Sequence, residues 1–519
     1  MEPLHTLSAT RAKALLDAGE VSSVALVQAL LARIDRYDGA VRAFTERLDE
    51  QALAQARAAD QARSRGERGG ALQGLPITVK ESIEITGSAS TLGIPARVGA
   101  RATRDAAVVA EARRQGAIVI GRTNVPQLLL SFECRNPVFG QCVNPRKASH
   151  SPGGSSGGEA AALAYGASML GIGTDIGGSI RLPAHFAGVV GFKPTQDRWP
   201  NRGLVAGIPG QEAIRSQCGP MARSVADVSM LLRALDPTAM SREDGRVPPL
   251  PVGDPARVSL RGLRVGLIEH DGLLAPSRAN LRALRRAAQV LEIAGVEVIP
   301  YQIPGVPEAI GEYLAALSAD GAATARRMLA GAPVDSTLQS LFLATRIPSP
   351  VRALAARGLK AAGQPLTGIV LDAVGDRSVS EFWRLVYALR SRRAAVEQDL
   401  SDRGIDALIL PPFATPAVPH HFGDRFAQAA SYTMIFNLLH WPAGVVPVST
   451  VTESECDREP SLDAVVRRAR EIDRRSVGLP VGVQVAAPAW RDELCLALMA
   501  EIERGVASDA DRPAAVVDP

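Results

Sequence analysis

Two glycine-rich stretches constrain this chain more than anything else in it. The first is Ser151-Pro-Gly-Gly-Ser155-Ser-Gly-Gly-Glu159. The second is Gly173-Thr-Asp-Ile-Gly177-Gly-Ser179-Ile-Arg181-Leu-Pro183. Their serines Ser155 and Ser179 stand 24 residues apart. Glycine lets the backbone approach a ligand closely because no Cβ intervenes. Backbone N–H groups exposed in this way can form an oxyanion hole for acyl transfer. A serine at the edge of such a hole is placed to attack the carbonyl that the hole polarises.

The flanking segments alternate between the two structural periods. The first 60 residues carry apolar residues at helical spacing (Leu15, Leu16, Val24, Leu26, Val27, Leu30, Leu31, Ile34), with N-cap candidates at 6–11 and at Ser22–Ser23. Residues 62–70, rich in Arg and Gly, read as an exposed loop. Leu75-Pro-Ile-Thr-Val-Lys80 reads as a buried strand ending on a lysine. A helix at 105–115 follows, then a strand at 117–121, irregular chain to 153, and a helix at 159–165. Residues 237–262 read as a surface connection. A strand at 263–268, a helix at 280–294 and a strand at 296–300 continue the alternation, which implies an α/β layer fold.

At 519 residues the chain exceeds the usual single core, although large α/β enzymes reach this size. The division expected is a helical region over 1–60 packing on the core, a catalytic body over 61–510, and a frayed tail over 511–519. Within the body, 341–373 mixes Leu341, Phe342, Leu343, Val351, Leu354 and Ile369 with Arg346, Arg352, Arg357 and Lys360. That pattern suits a lid helix, or an amphipathic helix lying on a membrane surface.

Composition excludes several classes. With 46% hydrophobic and 22% charged residues the chain is globular, and a net charge of +4 without a basic block or a known motif argues against nucleic-acid binding. Five scattered cysteines, none in a Cys-x-x-Cys pair, suit neither a disulfide framework nor a zinc site and fit a reducing, cytoplasmic compartment. The first residues do not make a signal peptide, and 160–173 is too short and too rich in Ala and Gly for a membrane span. The glycines at 171–177 miss the dinucleotide spacing, and no P-loop lysine follows 153–158. No cofactor and no metal are expected.

A serine nucleophile needs a base. Of seven histidines only His150 and His185 lie near either glycine stretch. Lys80 is the alternative, because burial disfavours the ammonium form and brings lysine toward neutral pH. On spacing alone it could equally be a surface lysine at a strand end. Gly153–Gly157 also satisfies the Gly-x-Ser-x-Gly nucleophile elbow, which would make Ser155 the nucleophile and require a later acid and a histidine such as His420, His421 or His440. That alternative leaves Lys80 and Ser179 without a role.

From Gly153 to Gly188-Val-Val-Gly191-Phe-Lys193-Pro-Thr195 the sequence resembles the amidase-signature family. Leu75–Lys80, Cys218-Gly-Pro-Met-Ala-Arg-Ser-Val-Ala-Asp227 and Gly478-Leu-Pro-Val-Gly-Val-Gln484 resemble further blocks of it, so the likeness runs from about residue 10 to 505. Within the family, Thr123-Asn-Val-Pro-Gln127, Asn136-Pro-Val-Phe-Gly-Gln141, Trp441-Pro-Ala-Gly-Val-Val-Pro447, Trp490-Arg-Asp-Glu-Leu-Cys495 and Glu159 are similar to the fatty-acid amide hydrolase branch.

The resemblance implies a mixed, twisted β-sheet sandwiched between α-helices, and hydrolysis of carboxylic amides, with esters as a further substrate class. It implies a triad of Lys80, Ser155 and Ser179 with a cis peptide before Ser155. It places oxyanion donors at Ile176, Gly177, Gly178 and Ser179, and loop support at Asp175 and Arg181. It sets Leu129, Leu130 and Phe132 along an acyl channel. It also implies a small-molecule amide partner and a homodimer. Two positions depart from the pattern: His185, where a small residue is usual and a packing role is expected, and Ala187, where cysteine is usual. The animal members' N-terminal membrane helix has no counterpart, and 341–373 aligns with their membrane cap but is less apolar. A glutamine-hydrolysing amidotransferase subunit, a short-chain or aryl amidase, and a non-catalytic scaffold are the rival readings.

Overall fold

The computed structural model describes residues 2–67 and 69–519. Its centre is a mixed sheet of eleven strands. In chain order the strands are β1 (Phe44–Arg47), β2 (Pro76–Lys80), β3 (Ile118–Thr123), β4 (Arg135–Asn136), β5 (Gly140–Gln141), β6 (Leu170–Asp175), β7 (Val190–Lys193), β8 (Gln217–Ala222), β9 (Arg264–Leu267), β10 (Glu297–Pro300), β11 (Ala407–Leu410), β12 (Ala443–Thr450) and β13 (Pro480–Ala486). Across the sheet they run β1-β3-β2-β6-β8-β7-β12-β13-β11-β9-β10, and β4 with β5 form a separate hairpin. The pairs β2–β3, β2–β6, β9–β10 and β9–β11 are parallel and the others antiparallel. The expected mixed sheet between helical layers is what the chain forms.

Strand β11 shows why these segments read as unbroken apolar runs. Successive side chains of a strand point to opposite faces. Ala407 and Ile409 enter one core, where they meet Leu284, Leu291 and Leu498 of the helices Arg278–Ile293 and Asp492–Gly505. Leu408 and Leu410 enter the other, with Ile310, Leu400 and Ile435 of the helices Val306–Leu317, Val379–Arg403 and Ser431–Leu438. A strand covered on both sides has no polar face to alternate with.

The amino-terminal helices Ala9–Asp17 and Ser23–Val41 begin at Ser8 and Ser22, whose side chains accept the N–H groups of Arg11 and Ala25. Both fall within the expected cap regions. The helix Asp49–Ser64 runs into the segment read as loop, and Arg68 of that segment lies outside the described residues. Strand β1 was not legible: Phe-Thr-Glu-Arg has no buried alternation, because it lies at the sheet edge and is only half covered. The connection 237–262 holds a helix, Pro237–Glu243, started by Asp236 as its cap and Pro237 in its first turn.

The tail makes contacts with the body. Val517 N–H donates to the Ala164 carbonyl at 2.9 Å, Arg33 donates to the Val517 carbonyl at 3.0 Å, and Arg33 pairs with Asp518 at 2.7 Å.

The two-sided burial of β11 has a direct test. Leu408→Ala and Ile409→Ala should each lower stability by about 2–5 kcal/mol in denaturant titration, since each leaves a cavity in a different core. Leu354→Ala, at a side chain 70% exposed, should change it by less than about 0.5 kcal/mol. A loss confined to one of the two β11 variants would contradict two-sided burial.

Candidate active site

Lys80 and Asp175 end the neighbouring parallel strands β2 and β6, so both reach the carboxyl edge of the sheet, where open α/β sheets bind ligands. All five residues of β2 are buried. The Lys80 side-chain nitrogen is therefore shielded from bulk solvent and finds protein partners. It donates to Ser155 Oγ at 2.7 Å, to Thr174 Oγ1 at 2.8 Å and to the Thr174 carbonyl at 3.3 Å. Burial lowers its pKa to about 7, against the opposing pull of Asp175.

Ser155 follows a cis peptide bond from Gly154. The next residue ties the two glycine stretches together: Ser156 N–H donates to the Ser179 carbonyl at 3.0 Å. Among the described residues the Ser155 hydroxyl is hydrogen-bonded to Lys80 and not to Ser179. Glu159 lies in the first turn of the wholly buried helix Gly157–Ala164 that this loop opens. Its carboxyl accepts the Thr78 hydroxyl and, at 2.6 Å, the Thr123 hydroxyl. Thr78 lies two residues before Lys80 on the same strand face, and Thr123 is the register partner of Lys80 on β3. Burial raises the Glu159 pKa to about 7.

The second glycine stretch forms a loop held entirely from behind. A trans peptide is planar, so fixing its carbonyl aims the next N–H in the opposite direction. The Asp175 carbonyl accepts Asn437 Nδ2 at 3.1 Å, and that of Ile176 accepts the Tyr313 hydroxyl at 2.8 Å. The Gly177 carbonyl accepts Thr433 Oγ1 at 3.0 Å, and that of Gly178 accepts Leu182 N–H at 2.7 Å. Four consecutive peptide planes, those that present the N–H groups of Ile176, Gly177, Gly178 and Ser179, are thus fixed. The Gly178 N–H already donates to Asp175 at 2.8 Å. Among the described residues those of Ile176, Gly177 and Ser179 have no internal acceptor. Gly178 takes a φ of +117°, a conformation that only glycine adopts readily.

Asp175 and Arg181 anchor this loop as a fully buried pair. Arg181 Nη2 and Nε meet the two carboxylate oxygens at 2.8 and 3.0 Å. Arg181 also donates to the Thr433 carbonyl, Gln484 Oε1 and Asn437 Oδ1 at 2.9, 2.8 and 2.7 Å. Burial opposes the charge on Asp175, but the guanidinium overcomes it and holds the carboxyl well below the usual range.

A cavity of about 370 Å³ opens at Ser179. Leu129, Leu130 and Phe132 line it, as do Ile176, Tyr313 and Leu317. Leu341, Leu343, Ile347, Val370 and Leu371 close it from the segment 341–373, which is built as the helices Gln339–Ala344, Ser349–Ala361 and Pro365–Ala373. Apolar side chains dominate the wall. The same segment leaves Leu343, Val351 and Leu354 exposed.

His185 stands apart from this constellation. It is fully buried, its Nε2 shares a hydrogen bond of 3.0 Å with the Thr415 carbonyl, and its Nδ1 accepts Gly482 N–H at 3.0 Å. Both ring nitrogens are satisfied by backbone, which fixes the Nε2–H tautomer and gives the packing role expected of it. Among the described residues no cluster of metal-binding side chains occurs, and no helix is long and apolar enough to cross a membrane.

Sequence reasoning missed Thr174, Tyr313, Thr433 and Asn437. Thr174 sits inside the glycine stretch beside Asp175, and that position was the available signal. Thr433 and Asn437 are one turn apart on a single helix, and only the fold brings that face to Asp175.

Comparison with known proteins gives a consistent neighbourhood. The family model described as Amidase matches residues 25–496. Fatty-acid amide hydrolase 1 of Sus scrofa is 41% identical over 445 residues, covering 84% of this chain and 76% of its own. Among solved structures, a fatty acid amide hydrolase superposes with a TM-score of 0.84 at 25% identity, covering 98% of this chain and 86% of its own. The peptide amidase of Stenotrophomonas maltophilia superposes with a TM-score of 0.70 at 27% identity, covering 98% of each chain.

The buried pair has a measurable cost of removal. Arg181→Met leaves the Asp175 carboxylate uncompensated and should destabilise the protein by about 3–5 kcal/mol in urea titration. A loss below about 1 kcal/mol would mean that Asp175 is supported mainly by the backbone N–H groups of Gly178 and Ile180.

Proposed function

This chain belongs to the amidase-signature family of amide hydrolases, and from that premise we propose that it cleaves hydrophobic acyl amides through an acyl-enzyme on Ser179. The observation that carries the substrate class is the apolar cavity opening at Ser179 and walled by Leu129, Leu130 and Phe132. A long or bulky hydrocarbon gains roughly 0.8 kcal/mol for each methylene it buries there. A small polar substrate such as glutamine finds few partners on such a wall, which disfavours an amidotransferase role.

Neutral Lys80 serves as the base. It takes a proton from Ser155, Ser155 takes one from Ser179, and the freed Ser179 oxygen attacks the amide carbonyl. Charge developing on the carbonyl oxygen meets the N–H groups of Ile176, Gly177 and Ser179, with that of Gly178 shared with Asp175. The relay then runs backward: Lys80 returns its proton through Ser155 to the nitrogen, the C–N bond breaks and the amine leaves. Water, deprotonated by the same relay, attacks the acyl-enzyme. This releases the carboxylic acid and restores Ser179. N-acylethanolamides and primary fatty amides fit this scheme, and esters enter by the same path. The exposed Leu343, Val351 and Leu354 on the lid suit delivery of such substrates from a membrane surface.

With neutral Lys80 as the base, kcat/KM should rise with pH through about 7 and level off above it. A profile flat from pH 5 to 9 would exclude Lys80 as the titrating base. Ser179→Ala should lose at least about 1,000-fold in kcat, and Lys80→Ala a comparable amount. Wild-type rates on primary amides from acetyl to oleoyl should rise with chain length. Activity confined to short or aryl amides would keep the chemistry and reject the hydrophobic-acyl reading.

A further inference from the structure

Tyr313 belongs to both halves of the site. Its hydroxyl donates to the Ile176 carbonyl at 2.8 Å, while its ring forms part of the cavity wall beside Leu314 and Leu317 of the same helix. The side chain is buried, and burial raises the phenol pKa far above neutrality, so it remains a donor. The peptide it holds is the one that presents the Gly177 N–H. Asn437, Thr433 and Leu182 hold the neighbouring planes from positions outside this wall of Leu314 and Leu317.

We infer that Tyr313 is a positioning residue: it fixes the Gly177 N–H toward the oxyanion and makes that fixation depend on how well the acyl group packs against its ring. The inference rests on Ser179 being the nucleophile. Acyl binding energy expressed in this way appears in kcat as well as in KM, because it sharpens an interaction made in the transition state.

The space around Gly177 supports the assignment. A Cβ there would lie 2.5 Å from Tyr313 Oη, whereas the next atoms, Tyr313 Cζ and Met434 Cγ, would be 3.5 and 3.6 Å away. The hydroxyl is thus what excludes a side chain at 177.

The test is Tyr313→Phe, which keeps the ring and removes the hydroxyl. Losing an oxyanion donor outright costs about 100- to 1,000-fold in kcat, and misaiming one that is still present should cost about 10- to 100-fold. KM should move by less than about threefold. The increase of kcat with acyl length should flatten. A trifluoromethyl ketone of matched acyl length, whose tetrahedral adduct carries an oxyanion, should lose affinity in parallel with kcat, while the matched carboxylic acid should not.

Gly177→Ala supplies a second measurement. It should be strongly damaging beside Tyr313 and add little in a Tyr313→Phe background. An unchanged kcat with a raised KM in Tyr313→Phe would reduce Tyr313 to a wall residue and overturn the inference, as would losses that simply multiply in the double variant. Peptide mapping of the acylated variant separates the two levels: acyl on a residue other than 179 sinks the nucleophile assignment, whereas acyl on Ser179 with normal kcat sinks only the role of Tyr313.

Discussion

The Asp175–Arg181 pair is the constraint from which the site is built. Two full charges with no exposure would be costly on their own. They are tolerated because nearly every remaining donor and acceptor is used. Asp175 receives N–H groups from Gly178 and Ile180 as well as the guanidinium, and Arg181 spends its other donors on Thr433, Gln484 and Asn437. The pair therefore locks the end of β6, the turn after it, the helix Ser431–Leu438 and β13 into one unit. A turn so restrained can present bare N–H groups without collapsing onto itself, and this is the preorganisation that oxyanion stabilisation requires.

Lys80 depends on the opposite balance. The same burial that Asp175 offsets with a guanidinium is left largely uncompensated at Lys80, so its pKa falls to about 7. Its partners are hydroxyls and a carbonyl rather than a carboxylate in contact. Glu159 is near enough to oppose that fall, yet its own pKa is raised to about 7 by burial, which weakens its hold on the proton of Lys80. One charged pair and one lysine whose charge is disfavoured by burial thus coexist at the ends of adjacent strands, separated by what each can hydrogen-bond.

Much of this was legible in the sequence because it is local. The serines, the glycines between them, Asp175 and Arg181 lie within thirty-one consecutive residues, and β2 announces itself as an apolar run ending on lysine. The α/β alternation was legible for the same reason, whereas the mixed sheet was implied by the family resemblance. What stayed hidden is set by distance along the chain. Tyr313 stands 137 residues from the Ile176 carbonyl it holds, and Asn437 stands 262 from Asp175. No periodicity reports such a contact. Strand β1 and the helix Pro237–Glu243 were missed because half-covered or short elements carry weak patterns.

The account stands on Ser179, not Ser155, being the residue that carries the acyl group. The most direct measurement is to mix the enzyme with a long-chain acyl ester, quench in acid during turnover, digest, and locate the added acyl mass by fragmentation. The account predicts the adduct on Ser179, absent when Lys80 is replaced by alanine and the quench is made at the same time. An adduct on Ser155, with Ser179 unmodified, would contradict it.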